Sequence, residues 1–376
     1  MNILVNALGI VDSGGVTVLE KLLIELLKSD SKHYIVCTNT NYLTPLIVKF
    51  NKSNKFIFKI TSQKGFFNRF LYENYSFRSL IIKNNIDLVY NFTGTVQFTY
   101  ACPQLVKVQN LLFFSKRLDS IYWRQRQYLS WFKQVLLKRL VLSQMLRNAK
   151  YIEVQSAHVE KSLSDFINLE NKTVFIKSDI DVSCKKFKQP KSYKTSEKIN
   201  FLYIVGPHFK FIHKNFIDFT NSMLALMSQD VNFEINITLS KEQLINSDFW
   251  DNELNKVTNF IGYVDNKDEI VDLFQDNTIL ISTSIVETIG LHVVEGIQNG
   301  VIVIVPHENY AISVYGERVM RYVLFDNDSL LASIEKVIGT NESYSDHILS
   351  LQHDLKMSEK GKIHNIMDIF KEILNV

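Results

Sequence analysis

The sequence predicts an α/β protein built as two doubly wound parallel sheets. Three observations lead there: short apolar runs alternate with helix-period segments along nearly the whole length, a hydrophilic lysine-rich stretch interrupts that alternation once, and the two parts carry opposite net charge. Ile3–Ala7 reads as the first strand. The turn Asp12-Ser13-Gly14-Gly15 follows, with Leu19, Leu22, Leu23, Leu26 and Leu27 at helical spacing behind it. Tyr34–Cys37, Ile57–Ile60, Leu88–Asn91, Leu105–Val108, Tyr151–Val154 and Thr173–Ile176 complete the strands of a first domain over residues 1–182. Residues 183–198 hold Pro190 and five lysines from Lys185 to Lys194, which reads as a linker. A second domain over 199–350 has strands at Ile199–Val205, Phe233–Leu239, Asn259–Val264, Thr278–Ile281 and Val301–Val305, and ends near Tyr322–Phe325. Residues 351–376 place Ile363, Ile366, Met367, Ile369, Phe370, Ile373 and Leu374 on an amphipathic terminal helix, free to pack back on the first domain. Two such domains would face each other across a cleft at their strand ends, where open α/β sheets bind ligands.

Composition narrows the class. With 376 residues, 46% hydrophobic, 22% charged, 13 Gly and 5 Pro, the chain is neither disordered nor collagen-like and can bury two cores. Cys37, Cys102 and Cys184 fit no metal or disulfide spacing, so a reducing compartment is expected. The start Met-Asn-Ile-Leu-Val-Asn has no basic signal region, and no run of about 18 apolar residues occurs. A cytoplasmic protein is expected, with peripheral attachment to the inner face of the plasma membrane as an option. The net charge of +3 conceals +12 over residues 1–180 (24 Lys and Arg, 12 Asp and Glu) and −9 over 181–376 (18 against 27).

The most specific chemical signal is Ser282-Thr283-Ser284-Ile285-Val286-Glu287-Thr288-Ile289-Gly290-Leu291-His292-Val293-Val294-Glu295-Gly296, with Gly300 before the next strand and Pro306 ending it. Glu287 sits on a strand-end loop, Gly290 opens a helix, and Glu295 lies one to two turns into it. Free amides at the helix start attract an anion, and the two carboxylates accept hydrogen bonds from hydroxyls. A ligand joining an anion to polyols, such as a nucleotide sugar, suits both. The bland reading is an ordinary strand–helix unit with solvated glutamates.

This stretch resembles the donor-binding signature of the retaining glycosyltransferases of the GT-B fold, of the glycosyltransferase-4 (glycosyl transferases group 1) type. That resemblance implies two Rossmann-like domains, the first for the acceptor and the second for the nucleotide sugar. It assigns Glu287 to the transferred sugar, Gly290 and Leu291 to sugar or phosphate, and Glu295 to ribose. Gly206-Pro207-His208-Phe209-Lys210-Phe211-Ile212-His213-Lys214-Asn215 resembles the family's phosphate-binding turn. Lys214 is then the catalytic cation, with Gly206 and Lys210 nearby. Asn259–Val264 resembles the base-binding segment through Tyr263 and Val264, although most such segments are plain strand and turn.

In the first domain, Gly14 and Gly15 would form an acceptor and phosphate loop, or a plain turn. Gln109 and Asn110 stand where many relatives carry a histidine. No cofactor and no catalytic metal are expected, with UDP or GDP favoured as the nucleotide. A hexose-type sugar would pass to a glycan or polyprenyl-linked oligosaccharide acceptor in bacterial surface polysaccharide (O-antigen or capsule) synthesis. A nucleotide-sugar epimerase of the same fold and a non-catalytic glycan-binding or transferase-partner protein are the alternatives.

Nine Lys and Arg but one acid occupy Lys116–Lys150, interleaved with aromatics. Arg117, Arg124, Arg126, Trp123 and Trp131 are candidates to face an anionic membrane surface. A solvated helix packed through its aromatics is the plainer reading, and no nucleic-acid-binding motif accompanies the charge. Phe66-Phe67-Asn68-Arg69-Phe70-Leu71-Tyr72 repeats the theme on a smaller scale.

Overall fold

A computed structural model describes every residue except 11–12, 39, 63–64, 99–101, 195, 265–266 and 340–343. Among the described residues thirteen strands form two wholly parallel sheets. The first contains β1 (Asn2–Asn6), β2 (Lys32–Thr38), β3 (Phe56–Thr61), β4 (Leu88–Asn91), β5 (Gln104–Val108), β6 (Tyr151–Val154) and β7 (Thr173–Ile176), in the order β3-β2-β1-β4-β5-β6-β7. The second contains β8 (Ile199–Tyr203), β9 (Phe233–Ile237), β10 (Thr258–Phe260), β11 (Thr278–Ile281), β12 (Ile302–Pro306) and β13 (Met320–Tyr322), in the order β10-β9-β8-β11-β12-β13. Strands covered on both faces need continuous apolar runs, and β4, β11 and β12 are buried at every position.

Several expected strands end early, those over Ile199–Val205 and Phe233–Leu239 at Tyr203 and Ile237, and two further departures have a visible backbone cause. The strand expected over Asn259–Val264 stops at Phe260, ahead of Gly262 at φ +80°. The last strand is Met320–Tyr322, not Tyr322–Phe325, because Tyr322 is the last residue paired to β12 and Phe325 turns back at φ +62°. In the first strand–helix turn, Asp12 lies outside the described residues. The helix Ser13–Leu27 starts there, so Gly14 and Gly15 belong to its first turn and not to a preceding loop.

Contacts divide the chain into one unit of Met1–Ser115, Gln127–Asp179 and Gly361–Val376, and another of Lys116–Arg126 and Ile180–Lys360. Residues 183–198, expected as a linker, are bonded into the second unit. Lys188 N donates to Gln298 O and Lys191 N to Gly300 O, both at 2.7 Å, and Lys194 N donates to Asn277 Oδ1 at 2.6 Å. Gly300, at φ +79°, permits this, since a Cβ there would stand 2.4 Å from Gln189 O. The residues expected as one terminal helix are divided by Gly361 at φ +83°. The helix Ser345–Ser358 buries Leu351 and Leu355 in the second core, and Ile366–Leu374 buries Ile366, Ile369 and Phe370 in the first unit.

The second core positions the site. The helix Leu291–Gln298 lies so close to the sheet that a Cβ on Gly296 would stand 2.6 Å from Leu280 Cδ2. Val293, Val294 and Ile297 fill that interface with Val303 and Val305 of β12.

Candidate active site

Two strand-end loops of the second unit are stitched together before either presents a side chain. Ile285 N, after β11, donates to His213 O at 2.7 Å. Thr283 Oγ1 donates to Lys214 O at 2.7 Å and shares a 2.6 Å hydrogen bond with Tyr203 OH of β8. Lys214 ends the short turn Ile212–Lys214, and Asn215 then takes the left-handed conformation, φ +44°, that asparagine tolerates best after glycine. The helix Phe216–Met227 follows, anchored by buried Phe216 and Phe219.

The result joins the two residues on which the sequence reading centred. Lys214 Nζ donates to Glu287 Oε1 at 2.7 Å and to Ser284 Oγ at 3.4 Å. The third ammonium hydrogen has no partner among the described residues. The Lys214 side chain is 25% exposed and that of Glu287 19%, open enough to meet a ligand. Burial would raise the Glu287 carboxyl, but the Lys214 ammonium, His292 and Ser284 hold it down at about 2. Burial lowers His292 to about 4, so at neutral pH it is an uncharged ring sharing a 3.1 Å hydrogen bond with Ser282 Oγ. His213 is likewise lowered to about 4, by burial and then by Lys214.

Gly290 is required twice over. Its φ is +65°, and a Cβ on it would meet Tyr315 OH at 2.1 Å. Val293 N and Val294 N donate to Gly290 O as the helix Leu291–Gln298 begins. Glu295 lies in the second turn of that helix, and both it and Leu291 are half-buried. The glycine turn is braced from the helix Asn309–Tyr315, where Tyr310 OH donates to Ser284 O at 2.6 Å and Tyr315 OH to Ile289 O at 2.8 Å. Both tyrosines are buried. Sequence reasoning missed them, because each reads there as one more apolar position.

The other expected site residues are less converged. Gly206 and Lys210 are exposed, and Lys210 Nζ rests over the Phe209 ring at 5.5 Å instead of joining the Lys214–Glu287 pair. Tyr263 and Val264 follow the Gly262 turn, the first exposed and the second half-buried. In the first unit Asn110 Oδ1 accepts from Leu112 N at 3.0 Å and so caps the turn Leu111–Phe114, whereas Gln109 Nε2 is sealed from solvent without a partner. Gly14 has open space where a Cβ would stand, and Gly15 sits beside it in the helix.

The basic segment is not one surface helix. It forms Lys116–Arg124, Tyr128–Trp131, a π-helical turn Phe132–Leu136 and Leu137–Asn148, and its first part groups with the second unit. Arg117 Nε is bound to Glu308 Oε1 at 2.9 Å. Trp123, Arg124 and Arg126 are exposed, and Trp131 is half-buried.

Asp-x-Asp triplets, a spacing that can hold a divalent cation, occur at Asp179-Ile180-Asp181 and Asp326-Asn327-Asp328. Asp179 is committed to Lys107 at 2.8 Å, while Asp181 accepts from Ser183 N and Asp326 from Ser329 N. Among the described residues no group of three or more His, Cys, Asp and Glu side chains could hold a metal ion.

Residues 240–350 match the family model described as glycosyl transferases group 1. No functionally curated sequence matches the chain. Solved structures of similar fold include the lipopolysaccharide outer core galactosyltransferase WaaB in apo form (TM-score 0.64, 14% identity, 100% of this chain and 99% of that one). Anabaena Alr3699/HepE in complex with UDP and glucose is another (TM-score 0.62, 11% identity, 100% of both chains). A third is a Listeria monocytogenes protein described as a UDP-N-acetylglucosamine 2-epimerase (TM-score 0.57, 11% identity, 99% and 96%). At such identities the structures speak for the fold alone, two Rossmann-like units of the GT-B type. The matched region contains Glu287, Gly290 and Glu295.

Proposed function

We propose that the protein is a retaining glycosyltransferase that moves a hexose-type sugar from a nucleoside diphosphate sugar to a glycan or lipid-linked oligosaccharide. The observation that carries this reading is the partly exposed Lys214–Glu287 pair beside the Gly290 turn, with one Lys214 N–H unused. Lys214 and the amides opening the helix Leu291–Gln298 stabilise the charge that grows on the departing diphosphate. Glu287, an anion at every physiological pH, accepts hydrogen bonds from the sugar being transferred and balances Lys214 before the donor arrives. Glu295 takes the ribose hydroxyls. In transfer with retention, the leaving phosphate oxygen receives the acceptor hydroxyl's proton on the same face of the sugar. No side-chain base is then needed, which accords with Gln109 and Asn110 in place of a histidine. UDP or GDP is the expected nucleotide, and no metal is assigned a role.

The epimerase found on the same fold makes the reaction, not the architecture, the point to test. The test is a defined transfer assay with Lys214→Ala and Glu287→Ala, in which rates unchanged from wild type would overturn the reading. Thermal unfolding with UDP, GDP and dTDP at about 100 times a plausible dissociation constant adds a second measurement, since a bound nucleotide contributes roughly 2.7 kcal/mol.

We further infer that the first unit meets an anionic membrane, as suits a lipid-linked acceptor in surface polysaccharide synthesis. Leu129, Phe132, Leu137, Leu140 and Val141 are exposed at helical spacing, with Lys133, Lys138 and Arg147 exposed on the same segment. Co-sedimentation with vesicles of anionic but not zwitterionic lipid, weakened by salt and by Leu129→Glu, is the expected result.

A further inference from the structure

The first sheet has a built polar site of its own at the point where its strand order reverses. β1 lies between β2 and β4, and in such sheets ligands bind beyond the carboxyl ends of the strands at that switch. Asn6 ends β1 and Asn91 ends β4, and both are buried. Asn6 Nδ2 donates to Asn91 Oδ1 at 3.1 Å and to Glu73 Oε1 at 2.9 Å on the helix Phe66–Lys83.

Arg69 lies one turn earlier on that helix, in a segment the sequence reading singled out only for its basic and aromatic character. Its Nε donates to Glu73 Oε1 at 2.6 Å, and its Nη2 donates to Thr93 Oγ1 at 2.6 Å and Thr95 Oγ1 at 2.8 Å. One edge of the guanidinium is therefore fully fixed. The two N–H groups of Nη1 have no partner among the described residues. Beside them runs bare backbone, since a Cβ on Gly9 would stand 2.3 Å from Nη1 and 2.9 Å from Thr93 Cβ. Gly94 next to Thr93 is at φ +78°. Beneath, Glu73 Oε2 is shut off from solvent and unpaired.

We propose that Arg69 Nη1 binds ring hydroxyls of a carbohydrate acceptor in the first unit, with Glu73, Thr93 and Thr95 as its positioning residues. This rests on the glycosyl-transfer reading and adds a site to it. The charge arrangement selects the ligand. Glu73 already neutralises Arg69 through Oε1, so a phosphate dianion would bring uncompensated negative charge beside that carboxylate and gains little. A vicinal diol is uncharged, and its two oxygens accept from the two Nη1 N–H groups.

Ligand-detected NMR with methyl α-D-glucopyranoside, methyl α-D-galactopyranoside, methyl α-D-mannopyranoside and inorganic phosphate, all in saturating UDP, tests this. At least one glycoside should bind the wild type, and Arg69→Lys, which keeps the charge beside Glu73, should weaken it about tenfold while the UDP dissociation constant stays unchanged. The double variant Arg69→Met with Glu73→Gln removes both charges together, should stay folded by thermal unfolding, and should show the same loss. Equal glycoside binding in wild type and Arg69→Lys, no glycoside binding by the wild type, or phosphate binding that Arg69→Lys abolishes would each overturn the proposal. A wild type that ignores every nucleotide would instead sink the transfer reading, so the two failures are distinguishable.

Discussion

Each sheet holds a lysine paired with a carboxylate near the ends of its strands, and the two pairs are built in opposite ways. In the first unit Lys107 of β5 donates to Glu153 Oε1 of β6 at 2.8 Å and to Asp179 Oδ1 and Oδ2 at 3.0 and 2.8 Å. Tyr90 OH closes the other Glu153 oxygen at 2.6 Å, and Lys177 lies 3.6 Å from Asp179. Burial would push Asp179 up, but Lys107 and Lys177 hold it down at about 2. The Lys107 and Glu153 side chains are 1% and 0% exposed. The second unit's Lys214 and Glu287 are reachable from solvent and leave an N–H unspent. A charge pair with every donor consumed is architecture, and one with a donor to spare is equipped for a ligand.

That contrast can be broken most forcefully from the closed side. Lys107→Met leaves Glu153 and Asp179 facing each other without compensation and should cost roughly 3–5 kcal/mol of stability by denaturant unfolding. Lys214→Ala should do the reverse. Its loss should appear as about a hundredfold lower transfer rate, roughly 3 kcal/mol, with stability changed by less than Lys107→Met changes it. If Lys214→Ala unfolds the protein as severely as Lys107→Met, the two pairs are alike and the distinction fails.

Gly290→Ala should destabilise by about 1–3 kcal/mol, from the left-handed backbone and from Tyr315 OH 2.1 Å from the new methyl. Tyr315→Phe alone should cost about 1 kcal/mol and weaken nucleotide binding through the loosened turn. Because it removes the clashing oxygen, it should recover part of the Gly290→Ala loss in a double-variant cycle.

The remaining effect is in pH. Glu287 titrates near 2 when folded against an ordinary 4.5, so its contribution is complete above about 4.5 and is lost as pH falls toward 2. Unfolding of Glu287→Gln should be less pH-dependent in that window. His292 and His213 act higher. The unfolded chain takes up their protons near 6.5 and the folded one near 4, so stability falls as pH drops between those values.

These pairs also mark what could be read from the chain in advance. The strands were legible because parallel sheets demand apolar runs, and the Glu287–Gly290–Glu295 spacing is local enough to survive as a pattern. Lys107 was not legible, since in Leu-Val-Lys-Val it reads as a strand residue facing solvent and its partners lie 46 and 72 positions away. Arg69 was legible only as charge. Its meaning depends on Asn6, Thr93 and Thr95, which the fold brings together from three separate segments. Val323 and Phe325 extended the expected last strand because hydrophobicity continues where pairing stops.

The return of residues 361–376 to the first unit has a consequence in time. Ile366 N donates to Glu25 Oε2 at 3.0 Å, the Phe370 ring packs on Tyr90 at 5.5 Å, and Ile363 bridges to Lys177 beside β7. The first unit therefore lacks this element until residues 361–376 emerge. At about 5–20 residues per second, the delay after Asp179 is roughly 10–40 s. For that interval Tyr90 lacks the Phe370 ring and Glu25 lacks the Ile366 N–H in the nascent chain.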